Sequence, residues 1–562
     1  MKRLYILFLA VFFLLVPQRS EAQEFDLGGT VFNNDLLGWY DLYNLSFTAH
    51  NYGTARSMAM GNAFTALGAD MVSATLNPAG IGMYIKNDIS ISPMLQFSQS
   101  PTKGGEPYYL GSTPRKEEFT ERDTRLVMSS MGGVFTAYRS TGALTNLNIG
   151  IVYNRIADFN QNSRSASRYN PATESLANVL CNQANADGLT TNSDGTMPFP
   201  ANPYYWGATL AYKNGLINKD ADGWFIDRIG ENAEVDQYSA AKTRGSIGEY
   251  AFTVGMNFSD IFYLGATLGI QSVSYKRTTY YGEDYVYPNG APGGVDMPYQ
   301  VQYMNYMQTT ELSGSGVNFK IGATVRPVQW LRIGIAYHTP TAYDVALRYR
   351  GDMWSCTYSA GDNPEKYDID KDGYMYDDVK TEVIDDSGNY SWHFSSPSRL
   401  LVGAAVTIAQ RVILSADYEH SWYQSVRLRN APVSDLDYTA ITKEVFKGGS
   451  TLRLGAEGYI LPGLALRAGY IWSGSTMNGN YKDAVLSHSA PTSLSAATAG
   501  IGLQLTESIY LDLAYQYSIT RYTPHQSFYA IDYSDAANDI MSATLTTDTT
   551  RHLAVATLGF RF

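Results

Sequence analysis

Alternation at every second residue is the feature that most constrains this 562-residue chain. Near its end, Ala554, Ala556, Leu558, Phe560 and Phe562 share one parity, while Thr557, Gly559 and Arg561 share the other. A strand turns successive side chains to opposite faces, so this segment has one apolar wall and one mixed wall. The pattern recurs upstream. Leu331, Ile333, Ile335 and Tyr337 oppose Arg332, Gly334, Ala336 and His338, and Leu452, Leu454 and Ala456 oppose Arg453, Gly455 and Glu457. Leu464, Leu466, Ala468, Tyr470 and Trp472 oppose Arg467 and Gly469, and Leu511, Leu513, Tyr515 and Tyr517 oppose Asp512 and Gln516. A soluble sandwich alternates too, with its apolar face inward. A barrel in a membrane turns the apolar face to lipid and the polar face to its lumen.

The connections between strands separate these alternatives. Short turns are expected near residues 141–145, 259–260, 328–329, 410–411, 461–463 and 507–508. Longer polar segments lie near 100–123, 159–246, 278–303, 350–388, 428–448, 475–490 and 523–548. Six short turns alternating with seven long loops predict an all-β membrane protein, a fourteen-stranded antiparallel transmembrane barrel with both ends on one side. An even strand number and this loop asymmetry are what outer-membrane barrels show. The terminal Phe562, with apolar residues two and four positions before it, resembles the closing strand of bacterial outer-membrane barrels. That resemblance implies insertion by the barrel assembly machinery through the C-terminal strand.

At the other end, Lys2 and Arg3 precede an apolar run from Leu4 to Val16, and Ser20-Glu21-Ala22 offers small residues to a signal peptidase. The run is shorter than the roughly 20 residues a spanning helix needs. Cleavage is expected after Ala22, leaving Gln23 first. Removing residues 1–22 takes away Lys2, Arg3, Arg19 and Glu21, which leaves 38 basic and 52 acidic residues and moves the net charge from −12 to −14. An acidic exported chain offers no basic face to nucleic acid. No second apolar run is long enough to span as a helix, so strands must do so. The 44 Tyr, 22 Phe and 8 Trp match the aromatic girdles of such barrels. The expected location is the outer membrane of a Gram-negative bacterium, crossed many times, with outer-membrane lipid as surroundings and a monomer as the unit. Cys181 and Cys356 are the only cysteines, and their spacing leaves a disulfide or two thiols equally open.

Residues 30–86 read differently, with little alternation and short helical stretches at Asn34–Tyr43 and Met58–Leu67. The domain reading is a signal peptide at 1–22, an N-terminal extension and hatch at 23–86, and the barrel with long extracellular loops at 87–562. Within the hatch, Ala55-Arg56, Met60-Gly61-Asn62-Ala63-Phe64 and Asn77-Pro78-Ala79-Gly80 stand in order. Pro78 fixes φ, Asn77 can bond its own backbone and Gly80 tolerates positive φ, which predicts a tight turn from plug to wall. These elements resemble the long-chain fatty acid transporter family (FadL-like, including toluene and xylene uptake channels), over roughly residues 50–82. The resemblance implies a fourteen-stranded barrel with a partly helical plug, capture of a hydrophobic small molecule, and a lateral gap where the third strand kinks. Here that strand is the 146–159 segment, with Gly150 or the Asn154-Arg155 step as the place where pairing would stop.

Asp368, Asp370 and Asp372, followed by Gly373, match the first half of a calcium loop, but Val379 stands where a bidentate Glu is expected. Asn218 to Gly223 is a poorer echo. A structural calcium is the one cofactor these loops raise. Arg332, Asp417, Glu419, Arg453, Glu457, Arg467 and Asp512 are expected to face the lumen and pair there. The seven His residues show no zinc spacing, and no nucleophile elbow occurs, so no catalytic residue is assigned and the chain is not read as an enzyme. The leading expectation is hatch-gated passive uptake of fatty acids or aromatic hydrocarbons through the outer membrane. The alternative is a barrel that docks or assembles a secretion or surface-protein system.

Overall fold

In the computed structural model the wall is a closed antiparallel barrel of fourteen strands. The structure describes residues 30–32, 52–110, 113–198, 205–229, 233–286, 299–359, 381–383, 391–429, 443, 446–476, 491–522, 527–532, 540–542 and 544–562. The strands are β1 (Asp88–Leu110), β2 (Thr113–Arg139), β3 (Leu144–Asp158, continued by Gln161–Pro171), β4 (Glu234–Phe258) and β5 (Phe262–Val286). Next come β6 (Tyr299–Val328), β7 (Leu331–His338, continued by Ala342–Ser359), β8 (Ser391–Ser395 and Arg399–Ile408) and β9 (Val412–Ser421, continued by Arg427–Arg429). The last five are β10 (Gly449–Leu461), β11 (Leu464–Ser473), β12 (Pro491–Gln504), β13 (Ile509–Tyr522) and β14 (Leu545–Arg561). Consecutive strands pair, and β14 closes on β1 with Asp88 opposite Arg561 and Ile89 opposite Phe560.

The even strands up to β12 each reach the next strand through a short turn at one end of the barrel, where β1 begins and β14 ends. The other end differs from expectation. Residues 100–110 and 113–123, read as loop, are strand, and β3 to β7 all run well into segments read as loops. Beyond a bilayer the outer face of a strand meets water, so the lipid-facing apolar alternation disappears while the backbone ladder continues.

Face assignment excludes the sandwich. Ile91, Ile149, Phe252, Phe319, Ile335, Leu454, Leu513 and Phe560 stand exposed on the outside, while Arg453, Glu457 and Asp512 are buried inside. An apolar band of this extent around a closed wall is a lipid-facing surface. Among the described residues no helix is long and apolar enough to cross a membrane.

Inside the wall, residues 52–84 are almost wholly buried. The helix expected over 58–67 is instead a short one at Ala55–Ala59, capped by the Thr54 hydroxyl on Ser57 N–H. It stops because Gly61 and Asn62 take φ of 60° and 55°. Those left-handed residues turn the chain, and two 3₁₀ turns, Met71–Ala74 and Pro78–Met83, follow.

Candidate functional site: a seated plug below an apolar chamber

The plug is held mainly through its backbone. Ala55 N–H donates to Thr557 Oγ1 on β14 (2.7 Å), Thr65 N–H to Asp417 Oδ2 on β9 (2.7 Å), and Ser415 donates to the Ala63 carbonyl (2.7 Å). Thr498 on β12 donates to Ala59 O (2.8 Å), Asn148 on β3 to Ile81 O (2.8 Å), and Arg332 on β7 to Leu67 O (2.9 Å). Irregular backbone inside a barrel leaves polar groups that only the wall can satisfy, and these contacts do so. Close approach is possible because the lumen face carries glycines at one level. Gly255, Gly265 and Gly322 lie opposite one another on β4, β5 and β6, as do Gly334 and Gly403, and Gly455 and Gly469. A Cβ at Gly455 would lie 2.6 Å from Met60 O, one at Gly500 2.5 Å from Ala59 Cβ, and one at Gly265 would overlap the Pro78 carbonyl.

Asn77-Pro78-Ala79-Gly80 sits in this seat, facing β4 to β6. It is not a turn to the wall, which the chain joins only at Asp88. Asn77 Oδ1 accepts from Ala79 N–H and caps the 3₁₀ turn that Pro78 opens. Its Nδ2 donates to Thr65 O (2.6 Å) and to Thr324 Oγ1 on β6 (3.2 Å). One side chain therefore ties two plug segments to the wall. Gly80 does not adopt positive φ. Its missing Cβ makes room for Gly68 and Ser73, 2.7 and 2.6 Å from where that atom would be.

The lumenal charges pair with one another and with the plug. Glu457 receives both Arg56 Nη2 (3.0 Å) and Arg467 Nε (2.6 Å), and Arg467 Nη1 reaches Asp512 (2.6 Å). Glu419 receives Arg453 (2.7 Å) and Arg399 (3.6 Å). Arg332 and Asp417 serve plug backbone, as above.

Above the plug lies a polar layer in which Glu249 is met by Lys320, Gln271 (2.6 Å) and Asn318 (3.0 Å). One step further up the same strands the lumen face turns apolar. Ile156, Ile247, Val273, Leu312, Leu347 and Phe394, with Trp206 above them, form one buried cluster. Tyr343 and Phe394 stack at 4.4 Å, and Phe159 meets Tyr275 edge-on at 5.6 Å. The opposite wall is hydroxylic, with Ser100 bonded to Thr549 and Thr102 to Thr547 across β1 and β14. An apolar lumen face is the reverse of what a water-filled barrel needs.

Beside this chamber β3 leaves β2. Their pairing ends at Ser130 opposite Asn154, and a bulge follows between Arg155 and Ala157. Asp158 turns inward and accepts from Gln96 on β1 (2.9 Å), Arg155 and Asn160. From Gln161 on, β3 pairs with β4 alone, while the upper part of β2 pairs with β1 alone. The wall therefore carries a seam without backbone ladder above the Asn154-Arg155 step, with Ile156 of the chamber at its edge.

Residues 172–198 and 205–229 fold over β4 to β7 at the long-loop end. Helices Leu176–Ala186 and Trp206–Lys213 and a hairpin of Ile217–Lys219 with Phe225–Asp227 pack with Tyr285, Met304 and Met353 into a core of their own. Buried Glu283 accepts from Leu176 N–H (2.8 Å), Ser175, Tyr281 and Tyr285, fastening the first helix at its N-terminus. Cys181 is a free thiol in this core, donating to Phe225 O (2.8 Å), and burial pushes it up to about 12. It therefore forms no disulfide with Cys356.

Asp368, Asp370 and Asp372 lie outside the described residues. At the second acidic turn Asp220 Oδ1 already accepts from Asp222 and Trp224 N–H. Among the described residues no cluster could hold a metal ion. The glycine level and the apolar chamber went unread in the sequence. Their one signal was the residue type on the lumenal parity of each strand.

No protein-family model matches the sequence, and no curated protein does either. Solved structures similar to this chain include a FadL homologue of Pseudomonas aeruginosa, at 13% identity and a TM-score of 0.46, covering 92% of this chain and 98% of that one. Another is the toluene transporter TbuX of Ralstonia pickettii, at 13% identity and 0.42, covering 91% and 99%. The Pseudomonas putida toluene transporter TodX stands at 11% identity and 0.45, covering 91% and 98%. Over more than nine-tenths of its length, the chain resembles FadL-like barrels.

Proposed function

We propose that this protein is an outer-membrane channel for passive uptake of hydrophobic compounds, with fatty acids or aromatic hydrocarbons as the substrate class and the plug as its gate. The observation that carries this reading is the buried apolar cluster on the lumen face beside the β2–β3 seam, above residues 52–84 packed inside the wall. A hydrophobic molecule entering from the long-loop end gains about 25 cal/mol for each Å² it buries there. Water and ions gain nothing in the chamber and meet a filled lumen below. Along the seam two neighbouring strands part without breaking a ladder. A molecule leaving through it exchanges one apolar environment for another, the bilayer, so no energy input is required.

The test is flux into proteoliposomes holding the correctly inserted full-length chain. Labelled oleate and toluene should enter faster than into protein-free liposomes, while a polar solute such as glucose should not. Equal rates with and without protein would leave the docking reading in its place.

A further inference from the structure

A second site lies on the outside of the barrel. Strands β7, β8 and β9 are all interrupted at one level, by residues 339–341, 396–398 and 422–426. Pairing resumes above the break with Ala342 opposite Ser395 and Ser395 opposite Arg427. Three residues of β8 therefore face five of β9. The break is closed by Thr341 N–H on Ser396 Oγ (2.9 Å) and Trp422 N–H on Ser398 O (3.0 Å), so it is a built notch and not a fray. It encloses about 420 Å³, with Asp344, His393, Ser395 and Arg427 among its lining and the stacked rings of Tyr343 and Phe394 from the buried cluster against it.

The outward residues show where this notch stands. Below it they are Ile333, Ile335 and Tyr337 on β7, Val402 on β8, and Leu414 and Tyr418 on β9, all exposed. Above it they are Asp344, His393 and Arg427, also exposed. Pro340 lies nine residues along β7 from Leu331, or about 23 Å up a tilted strand, close to the roughly 25 Å height of a lipid-facing band. The switch from apolar to charged thus falls where acyl chains end and headgroups begin.

The lining is suited to a phosphate. Arg427 forms no ion pair among the described residues, and a guanidinium presents paired donors to phosphate oxygens. Ser395 adds a hydroxyl donor. Asp344 is held by His393 Nδ1 and offers its other oxygen to a hydroxyl. Directly beneath, Tyr337, Val402 and Tyr418 form an apolar ramp that an acyl chain can follow.

We infer that this notch binds the phosphorylated headgroup of an outer-leaflet lipid, with its chains lying down the β7–β9 face. Native mass spectrometry of the full-length protein from phosphatidylcholine nanodiscs doped with a phosphorylated glycolipid should show one retained lipid. Arg427→Glu should lower retention about tenfold, as losing one charge-assisted contact does, and Arg427→Lys should recover part of it. Arg348→Glu, an exposed cation higher on β7, should change nothing. Resistance of the folded band to SDS at room temperature confirms that each variant is folded. Full retention by Arg427→Glu would overturn the inference. So would an equal loss in Arg348→Glu, which means diffuse attraction, or displacement by inorganic phosphate at the lipid's own concentration, which means a free-anion site.

Discussion

Below the Glu249–Lys320 layer the wall meets the plug through backbone, glycine against carbonyl and side-chain amide against main chain. Above it the wall meets itself through apolar side chains, and the β2–β3 seam opens at that level. The lower contacts are directional and short, so they admit one arrangement. The upper contacts are non-directional and exchangeable, so a hydrophobic guest can replace them at little cost. The difference separates a level fixed by directional bonds from one held by apolar contact alone.

The largest expected effect comes from removing the space that seats the plug. Gly265→Val would drive a side chain into the Pro78 carbonyl, backbone against backbone, with no flexible end to yield. Overpacking costs about 1–3 kcal/mol or more, which shifts the seated population by about tenfold to a hundredfold. Ion conductance in planar bilayers should rise accordingly, and unchanged conductance would mean that the glycine level does not hold the plug.

Glu457→Gln comes next. It leaves Arg56, which is partly exposed, without its carboxylate while Arg467 keeps Asp512, a loss of about 1–2 kcal/mol. Faster hydrogen exchange at residues 52–60 is the expected reading, with the wall strands unaffected. Exchange as slow as in the unaltered protein would show that Glu457 adds nothing to the seat.

A change in the chamber should leave the plug alone. Leu347→Asn places an amide among apolar neighbours, and a guest that strips its water without bonding it loses about 1–3 kcal/mol. Oleate flux should fall about tenfold while conductance stays at its unaltered level, and Leu347→Met should restore flux. A rise in conductance would instead tie the chamber to the plug and break the comparison between the two halves.

What the sequence made legible divides along the same line. Lipid imposes a strict period of two, so Leu331 to Tyr337 and Leu511 to Tyr517 announce their strands, and the short turns fix the count. Outside the bilayer that solvent is gone, and residues 100–123 form strands with no alternation to show it. The Asn77–Gly80 segment was recognisable, but its geometry was not. Whether Gly80 serves φ or space depends on Gly68 and Ser73 folding back against it. The chamber residues are spread over β3 to β8, and only the barrel's register gathers them. Of the two places where the third strand could break, Gly150 stays paired with Val134 and Thr253, and pairing with β2 ends at Asn154; only the register decides between them.

The smallest expected signal reports whether the cap over the chamber must move. Cys181 is buried beneath the hairpin, and its thiol, pushed up to about 12, holds about a thousandth of the thiolate of an ordinary cysteine at pH 8. Alkylation by a maleimide should therefore be about a thousandfold slower in the folded Cys356→Ser variant than in the same chain unfolded in urea. If guests enter by lifting the cap, saturating oleate will speed that reaction, because opening exposes the thiol and lowers its pKa together. If they enter beside the cap, oleate will leave the rate alone while flux continues. The second result is expected, since Glu283 fastens the first cap helix through Leu176 N–H and Ser175, and neither bond touches the chamber. A guest that had to break both would meet a barrier the apolar cluster does not impose.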